Sequence, residues 1–520
     1  TSFSASNFGF VARGCAEQSR AFVSQRMKTF FQFAPLKSAR NTMPEEHDKD
    51  LSKEQKRKKM LAHISQRVHA SSPLPKNNGE RKLQTKLDAL MHRLQDETVS
   101  ETNLVDLLTE YALTLQEQAE QFKEEEENGD VVEGLHAKAC VAYEFASKWK
   151  ERYTIYYNWA IAVGDRARVL ERKRPEEARV LWREACEKYE KAVAVGMERS
   201  YLRGKGEGGE MVTSMSVSRA LNNHGLALRQ RAMLMTDSET EESTESKSKC
   251  LSEAILKFRR AIRISPDFHR AAYNLGTVEF ARGQMERAAV YVFSALAMVT
   301  SALPSSSETE NAKVVYSQSA QLVETALPDT QCGDDSLFAG NVWFAGGIGG
   351  EDAKHKRRTT ITDFDWARRR FAVCASAFKT VDSAQTFRIK SESGDYVPSR
   401  NDAWGDDAAP DTHFNVNLPM LSVESCEPIS DISRPPNCFA FLLSVRDDLE
   451  HAEKEENDDK DSPHAVVRHY RFACETESER DVWVDAIALL ASLAKRGKSE
   501  HLKSCLLSLK TKRKKRVGFV

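Results

Sequence analysis

The sequence predicts a multidomain chain: a solenoid of α-helical hairpins, then an α+β domain built as a bent β-barrel with a C-terminal helix, with disordered termini and a disordered linker. Three observations predict it. A short pattern returns three times between residues 150 and 300, as Tyr157-Asn158-Trp159-Ala160, Asn222-Asn223-His224-Gly225 and Tyr273-Asn274-Leu275-Gly276. Each copy is followed by a second helix with Ala at seven-residue spacing: Ala185 and Ala192, Ala254 and Ala261, Ala288 and Ala295. Beyond residue 360, helical periodicity gives way to short apolar runs separated by Asp, Gly and Pro, and one capped amphipathic helix closes that region.

Composition narrows the function classes. The 520 residues suggest about three domains. Apolar residues are 40% and charged residues 29%, which fits domains joined by solvated segments rather than one packed globule. Lys+Arg is 76 against Asp+Glu 77, so no global charge excess points to nucleic acid, and none is expected as a partner. No apolar run reaches the roughly 18 residues of an ordinary spanning helix. The ten cysteines are scattered without a C-x-x-C pair. A zinc site and a disulfide framework are therefore not expected, and a reducing compartment fits.

Residues 1–80 read as a disordered basic and charged segment. The first 43 hold six basic residues and one acidic residue, Glu17, with many Ser, Phe and Ala. That composition suits an organelle transit peptide. A disordered tail or translated upstream sequence is the other reading, with Met27 or Met43 as alternative starts. Pro73, Pro75 and Asn77-Asn78-Gly79 close this segment as a linker.

A helical segment spans 84–127. Leu104, Leu107, Leu108, Tyr111 and Leu115 fall on one face, and Glu124–Glu127 with Asn128-Gly129 break the pattern. Residues 134–300 form the repeat region, interrupted by loops at Gly204–Gly209 and Asp237–Lys249. The last copy has tetratricopeptide spacing, with Gly276 at position eight, Gly283 in the turn, Ala288 at twenty and Ala295 at twenty-seven. Two antiparallel helices approach closely only where Gly or Ala leaves room. The next helix then covers the face of Met285, Ala288, Ala289, Val292, Phe293 and Leu296. Pro266 closes the preceding copy.

Residues 301–359 lack helical periodicity and read as a linker, marked by Pro304, Ser305–Ser307 and the glycines at 346, 347, 349 and 350. The run Ala345–Gly350 lacks the Lys-Ser/Thr of a phosphate loop. The α+β domain spans 360–497. Strands are expected at Phe371–Phe378, Phe387–Ile389, Val416–Leu418, Leu421–Val423, Phe439–Val445 and Ala465–Ala473, with His451–Asp461 as an acidic loop. Thr476-Glu477-Ser478-Glu479 is a capping box. Trp483, Ala486, Ile487, Leu490 and Ala494 then form one apolar stripe. Strands followed by one such helix, with the motif Phe472-Ala-Cys-Glu-Thr-Glu-Ser-Glu-Arg-Asp-Val-Trp483-Val-Asp-Ala-Ile487, resemble the end of a pleckstrin-homology (PH) domain. In that family the helix plugs one end of the barrel and the Trp fills the core. Residues 498–520 are a basic tail.

Taken together, the segments Leu221–Leu228, Ala254–Ile262, Asp267–Thr277, Leu421–Pro428, Trp483–Ile487 and Ala494–Ser499 resemble a plant family of tetratricopeptide proteins whose loss causes hypersensitivity to latrunculin B. The resemblance covers most of 150–300 and 360–500. It implies a cytoplasmic scaffold peripheral to the trans-Golgi network and early endosome, linking vesicle trafficking to actin. It also implies an Arf guanine-nucleotide exchange factor as a partner.

No catalytic constellation is legible: there is no G-x-S-x-G, no H-E-x-x-H and no kinase set. A non-enzymatic adaptor without cofactor or metal is the expectation. The first helices of stacked repeats line a concave surface, on which Arg219, Asn222, Asn223, Arg229, Arg270, Tyr273 and Asn274 are the candidates. Arg and Asn together hold a peptide carboxylate through charge-assisted and amide hydrogen bonds. Asn before the small residue is equally a packing feature of such repeats.

Two basic clusters suit anionic lipid: Lys354–Arg358 with Arg368, Arg369 and Arg370, and Lys510 with Lys512, Arg513, Lys514, Lys515 and Arg516. Each basic residue near an anionic surface adds roughly 1 kcal/mol. The Lys-x(n)-Arg-x-Arg arrangement of phosphoinositide-binding PH domains is not evident between the first two expected strands. Two other function classes stand beside the scaffold: a plastid or mitochondrial assembly factor directed by residues 1–43, and a phosphoinositide-dependent membrane adaptor.

Overall fold

The computed structural model describes residues 78–96, 99–122, 129–201, 212–235, 241–300, 307–328, 334–345, 366–381, 387–389, 416–429, 437–447 and 466–517, with 55, 58, 62 and 332. The expectations for residues 1–43, Gly204–Gly209, Gly346–Gly350, Lys354–Arg358 and the acidic loop 451–461 lie outside that set. The chain divides into two compact units, 1–264 and 265–520.

The first unit is helical among its described residues: α1 (Asn78–Gln95), α2 (Glu101–Phe122), α3 (Gly129–Trp149), α4 (Tyr153–Leu170), α5 (Pro175–Tyr201), α6 (Ser214–Met233) and α7 (Glu241–Ile264). Each packs mainly on its neighbours in sequence, most extensively as the pairs α2/α3, α4/α5 and α6/α7. Small residues set the close approaches. A Cβ on Gly225 of α6 would lie 2.7 Å from the Phe258 ring of α7. In α4 the corresponding glycine is Gly164, where a Cβ would lie 2.9 Å from the Trp182 ring of α5. Gly164 is one turn beyond the expected Ala160, which is itself fully buried. Helix α7 begins inside the expected 237–249 loop. Nothing in Glu, Ser or Lys prevents helix there. Helix α1 likewise begins at Asn78, ahead of the expected end of the linker.

The second unit opens with the last helical hairpin, α8 (His269–Ala281) and α9 (Met285–Thr300). Gly283 makes the turn at φ 78°, and Gln284 N donates to Glu279 O at 2.9 Å. A Cβ on Gly276 would meet Val292 Cγ2 at 2.7 Å and Ala288 O at 3.3 Å. The expected linker is structured at both ends. Residues Ser307–Val323 form α10, and Ser336–Ala345 form β1. Helix α10 is too polar to show a stripe, yet Tyr316 stacks on Tyr273 with ring centres 4.1 Å apart. Strand β1 is apolar on both faces, so it lacks the alternation that reveals a half-exposed strand.

The sheet contains β1, β2 (Trp366–Cys374), β3 (Ala377–Thr380), β4 (Phe387–Ile389), β5 (Asn417–Pro419), β6 (Val423–Ile429), β7 (Phe439–Asp447) and β8 (Val466–Cys474). Its order is β5-β3-β2-β1-β8-β7-β6, antiparallel throughout, with β4 pairing β2. The run expected as one strand at 371–378 turns at Ala375-Ser376. Met420–Ser422 is a 3-10 turn leading into β6. Phe344, Phe371, Phe378, Phe441 and Phe472 are fully buried and mutually packed, Phe344 and Phe472 at 4.9 Å.

Helix α11 (Glu477–Lys495) starts with the expected capping box: Glu479 N donates to Thr476 Oγ1 at 3.1 Å, and Thr476 N to Glu479 Oε2 at 3.3 Å. Trp483 meets Phe338 edge-on at 4.7 Å, and a Cβ on Gly340 would sit 3.3 Å from its ring. The other side of α11 packs on α9. The expected basic tail is a helix, α12 (Ser499–Val517), entered through Gly497 at φ 68° and seated by the fully buried Leu502 and Leu506.

Candidate functional site

The groove candidates divide between the two units. In the first, α6 carries Arg219, Asn222, Asn223 and Arg229. Helix period places Arg219, Asn222 or Asn223, Leu226 and Arg229 along one side. Arg219 is exposed, Asn223 and Arg229 are half-buried, and Asn222 is buried. The two amides are linked: Asn222 Nδ2 donates to Asn223 Oδ1 at 3.2 Å, and Asn223 Nδ2 donates to the Tyr157 hydroxyl at 3.0 Å. Tyr157 stacks on Tyr153, and Tyr189 stacks on His224. Asn222 and Asn223 therefore belong to an aromatic and amide network that fixes α6 against α4. Arg219 remains the open cation of this group.

In the second unit, Arg270 and Asn274 are half-buried on α8, whereas Tyr273 is buried. Helix α10 covers Tyr273: its hydroxyl lies 3.0 Å from Ser319 Oγ, and His269 Nδ1 lies 3.0 Å from the Tyr316 hydroxyl. Tyr273 is thus a packing residue and not a surface for ligand, a correction that follows from the helix inside the expected linker.

The lipid candidates are also rearranged. Strand pleating sends Arg368 and Arg370 to one face of β2 and Arg369 to the other, beside Phe371 and Val373. Arg368 pairs with Glu475 at 2.6 Å and lies over the Trp343 ring. The three arginines are therefore not one patch. Lys510 is 7% exposed and donates to Ser336 O at 3.1 Å and to Ser336 Oγ at 3.0 Å, fastening α12 to the start of β1. Burial lowers its pKa. It is a tether and not a free surface charge. The backbone of Lys512, Arg513, Lys514, Lys515 and Arg516 continues α12, and their side chains lie outside the described set.

The topology moves one boundary that matters for charge. Because β1 is 336–345, residues 346–365 connect β1 to β2, and Lys354–Arg358 fall within that connection. They do not precede the sheet domain, as expected from a boundary at residue 360.

Sequence reasoning missed the polar groups buried in the first unit. Asn158 Nδ2, Trp159 Nε1, and Arg166 Nε and Nη2 have no hydrogen-bond partner, and all three side chains lie on α4. They carry no motif, and their spacing reads as core. Burial pushes the thiols of Cys140, Cys186 and Cys374 up to about 12, so they are protonated and weakly nucleophilic at neutral pH. None of the described cysteines is in a disulfide. Among the described residues, no group of three or more His, Cys, Asp or Glu is placed to hold a metal ion. No described helix is long and apolar enough to cross a membrane. No family model matches the chain, and no curated protein matches it.

Proposed function

We propose that the protein is a non-enzymatic adaptor that captures protein partners on tetratricopeptide-type hairpins and carries a PH-like C-terminal domain. One observation carries this reading. Three successive hairpins, α4/α5, α6/α7 and α8/α9, each set a helix glycine against one large side chain of the following helix: Gly164 on Trp182, Gly225 on Phe258 and Gly276 on Val292. A repeated helix pair of this kind exposes a side of its first helix for docking. The strand order, with β1 central and one C-terminal helix packing Trp483 on the aromatic core, supports the PH-like reading. The resemblance to the latrunculin-B-hypersensitivity family then suggests trafficking at the trans-Golgi network and early endosome, with an Arf exchange factor as partner. Imaging a C-terminally tagged full chain tests this. Puncta that coincide with trans-Golgi markers support it, and plastid or mitochondrial signal contradicts it.

A second reading is favoured by the position of Lys354–Arg358 in the β1–β2 connection, followed by Arg368-x-Arg370 on β2. That order is the Lys-x(n)-Arg-x-Arg arrangement of phosphoinositide-binding PH domains. Salt-resistant binding to vesicles containing one phosphoinositide would support it. Weak binding that disappears near physiological salt would leave the domain as a protein-binding module.

A further inference from the structure

Arg287, in the first turn of α9, reaches across to α11, where its Nη1 donates to Ser478 Oγ at 2.5 Å. Among the described residues, Arg287 has that hydroxyl as its partner and no carboxylate. A guanidinium holds a carboxylate or a phosphate through two parallel N–H bonds, and a neutral hydroxyl offers it a single, weaker one. The acids beside Ser478 are engaged elsewhere. Arg480 Nη2 donates to Glu477 Oε1 at 2.9 Å and to Asp481 Oδ1 at 2.8 Å. Glu479 Oε2 accepts from Thr476 N at 3.3 Å.

The residues around that hydroxyl form the charge pattern of an acid-directed kinase substrate. Glu479 stands at +1 and Asp481 at +3, with Glu475 and Glu477 before it. Kinases with a basic substrate groove select hydroxyls by such patterns. The segment is reachable. Glu475, Thr476, Glu477 and Glu479 are exposed, and Ser478 is half-buried in the first turn of α11, where helices fray. We propose that Ser478 is a phosphorylation site whose phosphate clamps α11 to α9 through Arg287. Ser478 Oγ attacks the γ-phosphorus of ATP, the bond from that phosphorus to the bridging β-oxygen breaks, and ADP leaves. The hydroxyl proton passes to the catalytic carboxylate of the kinase. The new group carries about −1.5 to −2 charge and three acceptor oxygens. Arg287 then gains a partner that fits both of its parallel N–H bonds. Thr476 has the same acid spacing, with Glu477 and Glu479, but its hydroxyl caps the helix, and a phosphate there would break the capping box. The modification is independent of where partners dock.

The test treats the native full chain with ATP and an acid-directed serine kinase whose activity is confirmed on an acidic model peptide. Fragment mapping of the tryptic peptide Phe472–Arg480 should place a phosphate on Ser478, and Ser478→Ala should lose it. The phosphorylated parent should melt about 2–4 °C above the unmodified chain. Arg287→Gln should be phosphorylated to the same extent and show no rise, because the clamp has lost its cation. A native chain that takes no phosphate on this peptide would overturn the proposal, as would a phosphate mapped to Thr476 instead. A midpoint that stays level or falls on phosphorylation, or a rise that persists in Arg287→Gln, would overturn the clamp.

Discussion

Tyr291 of α9 donates its hydroxyl hydrogen to Asp485 Oδ2 of α11 at 2.9 Å, and both side chains are fully buried. At the same seam Arg287 Nη1 donates to Ser478 Oγ at 2.5 Å, and Arg496 pairs with Asp267 at 2.7 Å. The last hairpin and the sheet are therefore one body through α11, although the sequence reads as two domains joined by a linker. Tyr291→Phe removes the donor and leaves a buried carboxylate short of a partner. It should cost about 1–3 kcal/mol. Hydrogen exchange should show α9 and β7 losing protection together. Loss confined to α9 would mean that the hairpin and the sheet are energetically separate.

Gly276 and Gly134 give opposite expectations for the same substitution. At Gly276 a Cβ would meet Val292 Cγ2 at 2.7 Å, with the Val292 backbone N at 3.2 Å, so the neighbour cannot simply rotate away. Gly276→Ala should overpack the hairpin and cost about 1–3 kcal/mol. Ala288→Phe on the facing helix should cost a similar amount. Gly134 in α3 has nothing within 4 Å. There Ala should stabilise by up to about 1 kcal/mol through helix propensity. Urea denaturation of the variants checks both signs.

Much of this was legible in the sequence, for physical reasons. The hairpins declared themselves because Gly225, Gly276, Ala254 and Ala288 have to be small where helices cross. The cap of α11 was legible because Thr476 and Glu479 bond locally. Strand β1 was not, because Leu337, Phe338, Val342, Trp343 and Phe344 put apolar groups on both faces. Helix α10 was hidden by its polarity, since only Tyr316, Ser319, Ala320 and Val323 bury its face well. That helix in turn decides that Tyr273 is core. The buried ion pair of Arg166 with Glu133 depends on α4 and α3 meeting in space, which no local spacing encodes.

Acid should destabilise the fold through two histidines. Burial lowers His224 to about 3 and His269 to about 4. Each folded-state value is below the ordinary value near 6.5, so the unfolded chain binds more protons between the two. Stability should therefore fall as pH drops from about 6.5 towards 3, by up to a few kcal/mol. Glu133 acts in the other direction: its raised pKa removes stability as pH rises from about 4.5 to 7. Chemical denaturation from pH 4 to 8 should give a shallower acid limb for His224→Phe and a shallower neutral limb for Glu133→Gln.

Removing residues 512–520 should lower binding to anionic liposomes at low salt and leave the fold intact. Removing 510–520 should also lower the melting temperature, because Lys510 holds Ser336. Both truncations should bind weakly near physiological ionic strength, where exposed charge is screened. Sedimentation across a salt series, with a melt of each truncation, separates the charge effect from the tether.

The central claim is that partners dock on the first helices of the hairpins, and one affinity measurement tests it most directly. The full chain and its Arg219→Glu/Arg270→Glu variant are titrated against a purified Arf guanine-nucleotide exchange factor, with melting curves showing that both are folded. The account predicts saturable binding by the parent and at least about a tenfold loss in the variant, equivalent to roughly 1.4 kcal/mol. A folded variant that binds as tightly as the parent would contradict docking on these helices, and a parent that does not bind would contradict the partner.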